Sequence, residues 1–121
     1  MESTSLTIVL LADRSTHENM GRVMHALLYA KQAVAAGLNV ELIFDGGGVE
    51  WAADLPNNEN FKDMYAELVE RNVVAGACTF CAGAFGVADE LEKLGANMLD
   101  ESSGHPDIGK RIAAGHKVLT L

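Results

Sequence analysis

The chain has little positive charge and no long hydrophobic run. Nine lysine and arginine residues stand against seventeen aspartate and glutamate residues, which gives a net charge of −8 at pH 7. This acidic balance argues against binding to the phosphates of nucleic acids and against attraction to anionic membrane surfaces. No run of about 18 consecutive apolar residues occurs, so we also expect no membrane-spanning helix.

Cysteine is also scarce, since the chain holds only two residues of this type, Cys78 and Cys81. A disulfide between them would close too short a loop to stabilise the fold, and we expect both to be thiols in a reducing compartment. The N-terminus lacks the basic start and the cleavage pattern of a secretory signal, so we expect a cytoplasmic protein. With 121 residues, we expect one domain over residues 1–121.

Short apolar runs alternate with segments of helical periodicity along the whole chain. Strands are predicted at residues 6–12, 38–44, 73–77, 97–99 and 117–121. Helices are predicted at residues 20–36, 61–71, 82–94 and about 106–114, with a turn of helix near 49–54 and an N-cap at Ser15 or Thr16. Strands joined by helices in this way run parallel, so the pattern predicts a three-layer α/β/α sandwich around a five-stranded parallel sheet, related to flavodoxin-like folds.

Residues with reactive or polar side chains follow the predicted strands, at the point where each strand ends. Because the carboxyl ends of parallel strands meet at one edge of a sheet, we expect these residues to line a site around the thiol of Cys78, which ends the third strand. The lining residues of this predicted site are Asp13, His17, Asp45, Gly46 and His105.

Cys78 is the main candidate for chemistry. A thiol at the start of a helix is stabilised as the nucleophilic thiolate, whereas the carboxylates of Asp13 and Asp45 would oppose its ionisation. The sequence leaves that balance open. The alternative is an unreactive cysteine buried at a strand end.

Cys81 lies one helical turn after Cys78 and could form a disulfide with it or attack a mixed disulfide held there. The Cys-x-x-Cys spacing therefore keeps open a dithiol redox protein. No proline lies between the two cysteines, and no tryptophan lies beside them, which argues against thioredoxin-like chemistry. A packed residue of the first helical turn is the alternative for Cys81.

The sequence offers no clear motif for a metal or a cofactor. The four histidines are scattered and form no pair at metal-ligand spacing, so we expect no bound metal. The glycines at 46–48 match neither the dinucleotide fingerprint nor the phosphate loop of nucleotide-binding proteins, so we expect no cofactor. His17 could instead donate a hydrogen bond to the sulfur of Cys78, with a helix cap as the alternative.

Four segments carry a resemblance to a known family. They are the first strand leading to Ala12 and Asp13, the segment 17–22 entering a long helix, the strand end at 42–46, and Cys78 followed by Gly86 and Val87. In these features the chain resembles the DsrE/DsrF-like family of sulfur-relay proteins, the group that includes TusD-type and YchN-type proteins.

The resemblance implies a sulfurtransferase-like persulfide carrier. In such proteins the cysteine after the third strand, Cys78 here, holds sulfane sulfur and exchanges it with donor and acceptor proteins. It also implies a homo-oligomer, either a trimer or a hexamer. The resemblance does not extend to Cys81 or to the acidic and histidine residues, and it leaves a dithiol redox protein and a non-catalytic oligomeric subunit as alternatives.

Overall fold

A parallel sheet of five strands lies at the centre of the computed structural model, which describes residues 4–121. Residues 1–3, on which the expectation about a secretory signal partly depends, lie outside the described residues. The strands are β1 (Ser5–Leu10), β2 (Asn39–Phe44), β3 (Val74–Cys78), β4 (Met98–Leu99) and β5 (Lys117–Thr120). The helices are α1 (His17–Ala35), α2 (Val49–Asp54), α3 (Lys62–Glu70), α4 (Thr79–Ala84), α5 (Ala88–Lys93) and α6 (Ile108–Ala113), with short 3₁₀ helices at Gly46–Gly48 and Leu55–Asn57.

The strand order in the sheet is β4-β3-β2-β1-β5, and every neighbouring pair is parallel. The predicted α/β class and the five-stranded parallel sheet are therefore confirmed. β1 and β2 pair from Ser5 opposite Asn39 to Leu10 opposite Phe44. Because β2, β3 and β4 are neighbours, the segments that follow these three strands also lie next to one another.

The two faces of the sheet are covered unequally. Alternate residues of β1, including Ile8 and Leu10, join a core cluster that contains buried residues from each of the helices α1 to α5. Thr7 points to the opposite face, where its hydroxyl bonds to Glu41, and Glu41 in turn binds Arg111 of α6. α6 itself has no buried residue, although Thr7, Val9 and Ile43, which point to this face, are buried.

α1 begins where the sequence predicts a cap. The Thr16 side chain accepts a hydrogen bond from the Asn19 backbone N–H at 3.1 Å, which satisfies one of the free donors of the first turn. The helix is followed by Gly37, whose φ of +85° suits glycine. Among residues 4–121, no helix is both long and apolar enough to cross a membrane.

The predicted single helix over residues 82–94 is wrong, because the segment contains two helices. α4 ends in a C-terminal cap in which the Gly86 N–H bonds to the Gly83 carbonyl and the Val87 N–H bonds to the Ala82 carbonyl. Gly86 adopts a φ of +74°, and this conformation turns the chain out of the helix before α5 begins. The apolar periodicity runs through both helices and conceals the break.

Candidate functional site

Cys78 occupies the last position of β3 and caps α4. Its sulfur accepts a hydrogen bond from the Cys81 backbone N–H at 3.4 Å, in the manner of an N-cap side chain. The thiol therefore lies where the sequence pattern predicts it, at a strand end and a helix start. The first turn of α4 carries Cys81 on the same side.

Three further groups surround the two sulfur atoms. The Cys78 thiol donates to the Gly104 carbonyl at 3.6 Å, and its sulfur lies 3.3 Å from Nδ1 of His105. The Cys81 thiol donates to Oδ1 of Asp45 at 3.5 Å. The donor atoms of Asp45, Cys78, Cys81 and His105 all lie within 4.8 Å of one another. We call these four residues the thiol cluster.

Hydrogen bonds with backbone groups fix Asp45 and His105, the two members of the cluster that lie in loops. The Asp45 N–H donates to the Leu10 carbonyl, and the Asp45 carboxylate accepts from the Gly46 N–H at 2.9 Å. The loop that carries His105 folds back on itself through paired bonds with Ser102. Each side chain is thus attached to a segment with a defined backbone.

Phe80 holds the His105 loop against α4. Its backbone N–H donates to the Gly104 carbonyl at 2.8 Å, and its ring lies 4.9 Å from the His105 ring between centroids. Gly104 has a φ of +88°, and a Cβ there would lie 3.4 Å from the Phe80 Cβ. The Phe80 ring is 60% exposed, so it lies at the outer surface of the site.

The two cysteines differ in exposure. Cys78 is fully buried, while Cys81 is partly exposed. Burial raises the pKa of the Cys78 thiol to about 12, with smaller contributions from neighbours that include the Asp45 carboxylate, and the N–H of Cys81 opposes this rise only in part. In the balance that the sequence left open, desolvation therefore outweighs the helix terminus, and Cys78 is a buried thiol with a raised pKa.

Asp13 and His17 lie apart from the thiol cluster. Both follow β1, which is two strands away from β3 and therefore separated from it by about 10 Å. The Asp13 carboxylate accepts bonds from Ser15 and Asn19, which lower its pKa. His17 begins α1, is exposed, and lines a cavity of about 710 Å³ whose lining does not include either cysteine. Of the two histidines that the sequence placed at the site, His105 lies beside the sulfur of Cys78, and His17 does not take part in the cluster.

The glycines at 46–48 serve packing. A Cβ at Gly48 would lie 1.9 Å from the Leu10 carbonyl oxygen, and one at Gly47 would lie 2.6 Å from the Asp13 Cβ. Gly46 has a φ of +51° and binds the carboxylate of Asp45. The loop is therefore a tight packing of backbone against the end of β1, and it positions Asp45.

The sequence named all four residues of the thiol cluster as site residues, but it did not reveal that their donor atoms form a metal-ligand set or that Phe80 and Gly104 cover the site. Metal-ligand spacing along the chain does not reveal this set, because its members follow three different strands. Position at the carboxyl ends of neighbouring strands is the feature by which the sequence analysis named Asp45, Cys78 and His105. The Cys-x-x-Cys spacing is the sequence feature that pointed to Cys81.

The fold and the cluster define an α/β protein with two thiols at the carboxyl edge of a parallel sheet. The model of the DsrE/DsrF-like family matches residues 7–121, and the chain therefore belongs to that family, which is of the sulfur-relay type.

One further protein is similar to this chain in sequence, and another is similar in structure. An uncharacterized protein of Methanocaldococcus jannaschii, MJ0733, is 31% identical over 104 residues, which cover 85% of this chain and 83% of that protein. A conserved protein of unknown function from Bacteroides thetaiotaomicron, BT1422, has a solved structure with a TM-score of 0.63 and 18% identity, covering 95% of this chain and 94% of the other. The second similarity concerns the fold alone.

Proposed function

We propose that the protein is a sulfur carrier, which takes sulfane sulfur from a donor persulfide and passes it to a cysteine of an acceptor protein. The observation that carries this proposal is the pairing of a partly exposed thiol, Cys81, with a buried thiol, Cys78, at the carboxyl edge of the sheet. Membership of the DsrE/DsrF-like family supports the same class of reaction. Sulfur transfer between thiols is nucleophilic exchange and uses the side chains already present.

Cys81 is the thiol that receives the sulfur in this proposal. A donor persulfide must approach the attacking sulfur directly, and only Cys81 of the pair is partly exposed. Its thiol proton points to Oδ1 of Asp45 at 3.5 Å, so this carboxylate is placed to accept the proton. The assignment differs from the family resemblance, which favours Cys78, and the reason is the burial of Cys78.

The transfer consists of two thiol–persulfide exchanges, and in each of them one S–S bond forms while another breaks. The Cys81 proton leaves through Asp45 to solvent, and the Cys81 sulfur attacks the outer sulfur of the donor persulfide. The donor's S–S bond breaks, its thiolate leaves and takes up a proton, and Cys81 becomes a persulfide. The thiolate of the acceptor then attacks the outer sulfur and restores the Cys81 thiol. Sulfur moves in both halves without net oxidation or reduction.

In this scheme Cys78 does not attack the persulfide that Cys81 carries. A thiolate at this position could attack the inner sulfur of the Cys81 persulfide, release sulfide and leave a disulfide. Because burial raises its pKa to about 12, Cys78 stays a protonated and weakly nucleophilic thiol. The protein then acts as a carrier and does not reduce the persulfide.

Persulfide mass spectrometry tests the proposal. Chelator-treated protein is incubated with a cysteine persulfide and mapped by intact mass and by peptide mass. We expect the wild type and Cys78→Ser to gain the mass of one sulfur atom and Cys81→Ser to gain none, with circular dichroism confirming that both variants fold. Loading of Cys81→Ser would overturn the role of Cys81, and failure of all three proteins to load would overturn the carrier function.

Dithiol redox chemistry is the second candidate, and one observation favours it. The two sulfur atoms lie within 4.8 Å of each other on one helical turn. A disulfide needs a separation of about 2.05 Å, so a change of the side-chain rotamers would be required to form it. Mild oxidation that removes two hydrogens, together with disulfide formation in place of persulfide loading, would favour this candidate over the carrier.

We also propose a homo-oligomer, a trimer or a hexamer, that acts in the cytoplasm with donor and acceptor proteins. Two large apolar side chains are exposed on β5 and α6. Leu119 on the edge strand β5 is 43% exposed, and Ile112 on α6 is 57% exposed. A reducing compartment would keep both thiols free. Light scattering coupled to size-exclusion chromatography tests the assembly, and a monomer at all concentrations would overturn it.

A further inference from the structure

The thiol cluster has the donor types and the spacing of a transition-metal site. It brings together two sulfurs, one imidazole nitrogen and one carboxylate oxygen, from Cys78, Cys81, His105 and Asp45, all within 4.8 Å of one another. We propose that these four residues bind one thiophilic divalent cation, of the Zn²⁺ class. This inference does not depend on the sulfur-carrier proposal, since metal binding is measured directly.

The distances suit a tetrahedral site. Zinc–sulfur bonds of about 2.3 Å and zinc–nitrogen or zinc–oxygen bonds of about 2.0–2.1 Å place neighbouring donor atoms about 3.3–3.8 Å apart. The sulfur of Cys78 lies 3.3 Å from Nδ1 of His105, and the sulfur of Cys81 lies 3.5 Å from Oδ1 of Asp45. The remaining pairs lie within 4.8 Å, so no pair of donor atoms needs to approach by more than about 1.5 Å.

The donor set also selects the class of ion. Two thiolates and an imidazole favour Zn²⁺ or a similar soft ion over Mg²⁺ and Ca²⁺, which take oxygen ligands. Binding removes the thiol protons of Cys78 and Cys81, and both protons go to solvent. The two thiolates and the Asp45 carboxylate then carry three negative charges, which leave the filled site with a net charge of −1.

The ligands are held by ordered backbone before any ion binds. Asp45 is oriented by the Gly46 N–H at 2.9 Å, and the two cysteines share the first turn of α4. The ring of Phe80 lies 4.9 Å from that of His105 and covers the loop that carries it. Such supporting contacts orient metal ligands and limit the entropy lost on binding.

Metal binding and sulfur carriage would exclude each other. An ion held by both sulfurs occupies the lone pairs with which Cys81 would attack a donor persulfide. The cluster would then have two alternative states, one that holds a metal and one that is open to sulfur.

Cobalt substitution tests the proposal, with Co²⁺ as a coloured probe and Zn²⁺ as its competitor. Reduced, chelator-treated protein is titrated with Co²⁺, and absorption from thiolate-to-cobalt charge transfer is recorded. We expect one ion per chain, displacement by Zn²⁺, and a Tm that rises when Zn²⁺ is added. Absence of the charge-transfer band, or a stoichiometry below one in fully reduced protein, would overturn the site.

Matched variants distinguish a metal site formed by all four residues from metal binding to the two cysteines alone. We expect His105→Gln and Asp45→Asn each to weaken Zn²⁺ binding by about tenfold or more, and the controls His17→Gln and Asp63→Asn to leave it unchanged. Unchanged affinity in both ligand variants would show binding to the cysteines alone and would overturn the four-residue site. The Tm of each metal-free variant confirms its fold. Persulfide loading of metal-free protein is scored separately, so loss of either proposal leaves the other intact.

Discussion

The Nδ1 atom of His105 lies 3.3 Å from the sulfur of Cys78, although 27 positions separate the two residues in the chain. Cys78 ends β3, and His105 belongs to the loop after β4, the strand that pairs with β3. Parallel pairing of these strands brings the loop over the thiol. The burial of Cys78, and with it the difference between the two cysteines, follows from this arrangement.

The two cysteines should react with alkylating reagents at very different rates. Because burial raises the pKa of Cys78 to about 12, very little of its thiol is ionised near pH 8, and its sulfur is also buried. We therefore expect iodoacetamide to label Cys81 first and Cys78 slowly in the folded protein. Peptide mass mapping over time measures both rates. Unfolded protein serves as the control, and equal labelling rates in the folded state would contradict the prediction.

Asp45→Asn should make Cys78 easier to ionise. Burial is the largest cause of the raised pKa of Cys78, and the carboxylate of Asp45 raises it further through a hydrogen bond and its charge. Asparagine removes the negative charge and keeps the size of the side chain, so the pKa of Cys78 should fall without reaching its ordinary value of 9.0. The pH dependence of Cys78 alkylation in a Cys81→Ser background measures the change. If the pH dependence of Cys78 alkylation is the same with and without Asp45→Asn, then Asp45 has no electrostatic effect on Cys78.

Phe80→Ala should expose Cys78. The Phe80 ring packs against His105 at 4.9 Å and helps to hold the loop that covers the thiol. Its removal should speed the alkylation of Cys78 several-fold with little loss of stability, because the ring is already 60% exposed. Phe85→Ala removes a ring from the end of the same helix, where it is 41% exposed, and should leave the rate unchanged. Equal effects of the two variants would argue that the ring of Phe80 does not protect Cys78.

Glu101→Gln should change how stability depends on pH. The hydrogen bond from Arg111 is the main cause that lowers the pKa of Glu101 below its ordinary value of 4.5, so the pair stabilises the protein above that pH. This contribution is lost as the pH falls through the lower, folded-state pKa. The wild type should therefore have a higher Tm than Glu101→Gln at neutral pH, and this difference in Tm should disappear as the pH is lowered. Glu67→Gln, in an exposed pair with Arg71 at 3.8 Å, should lower the Tm little at either pH.

Gly48→Ala should destabilise the protein strongly, whereas Gly83→Ala should not. A Cβ at Gly48 would lie 1.9 Å from the Leu10 carbonyl oxygen, so the backbone must move, at a cost of about 3 kcal/mol. A Cβ at Gly83 meets nothing within 4 Å, and alanine favours the helix by about 0.5–1 kcal/mol. Urea unfolding of both variants measures these changes. Similar midpoints for the two variants would refute the packing role of the loop at 46–48.

Much of the fold follows from local pattern, but the position of some boundaries does not. The apolar runs that predict β1 and β2 do form strands, and α2 spans Val49–Asp54 as predicted. β1 is buried over almost its whole length, whereas only the second half of β2 is buried. The break between α4 and α5 was missed because the cap at Gly86 depends on a positive φ, which periodicity does not reveal.

The sequence by itself determined the α/β class and the family, which follow from a pattern along the whole chain. It also placed Cys78 at a strand end with Cys81 one turn later, because that placement depends on neighbours within a few residues. Only the tertiary structure decided which side chains meet the thiols. Strand order separates Asp13 and His17 from β3 and brings Asp45 and His105 to it, and this order depends on long-range pairing. Burial, which makes Cys78 a weak acid, arises from the same packing, since desolvation depends on the residues that surround a group in space.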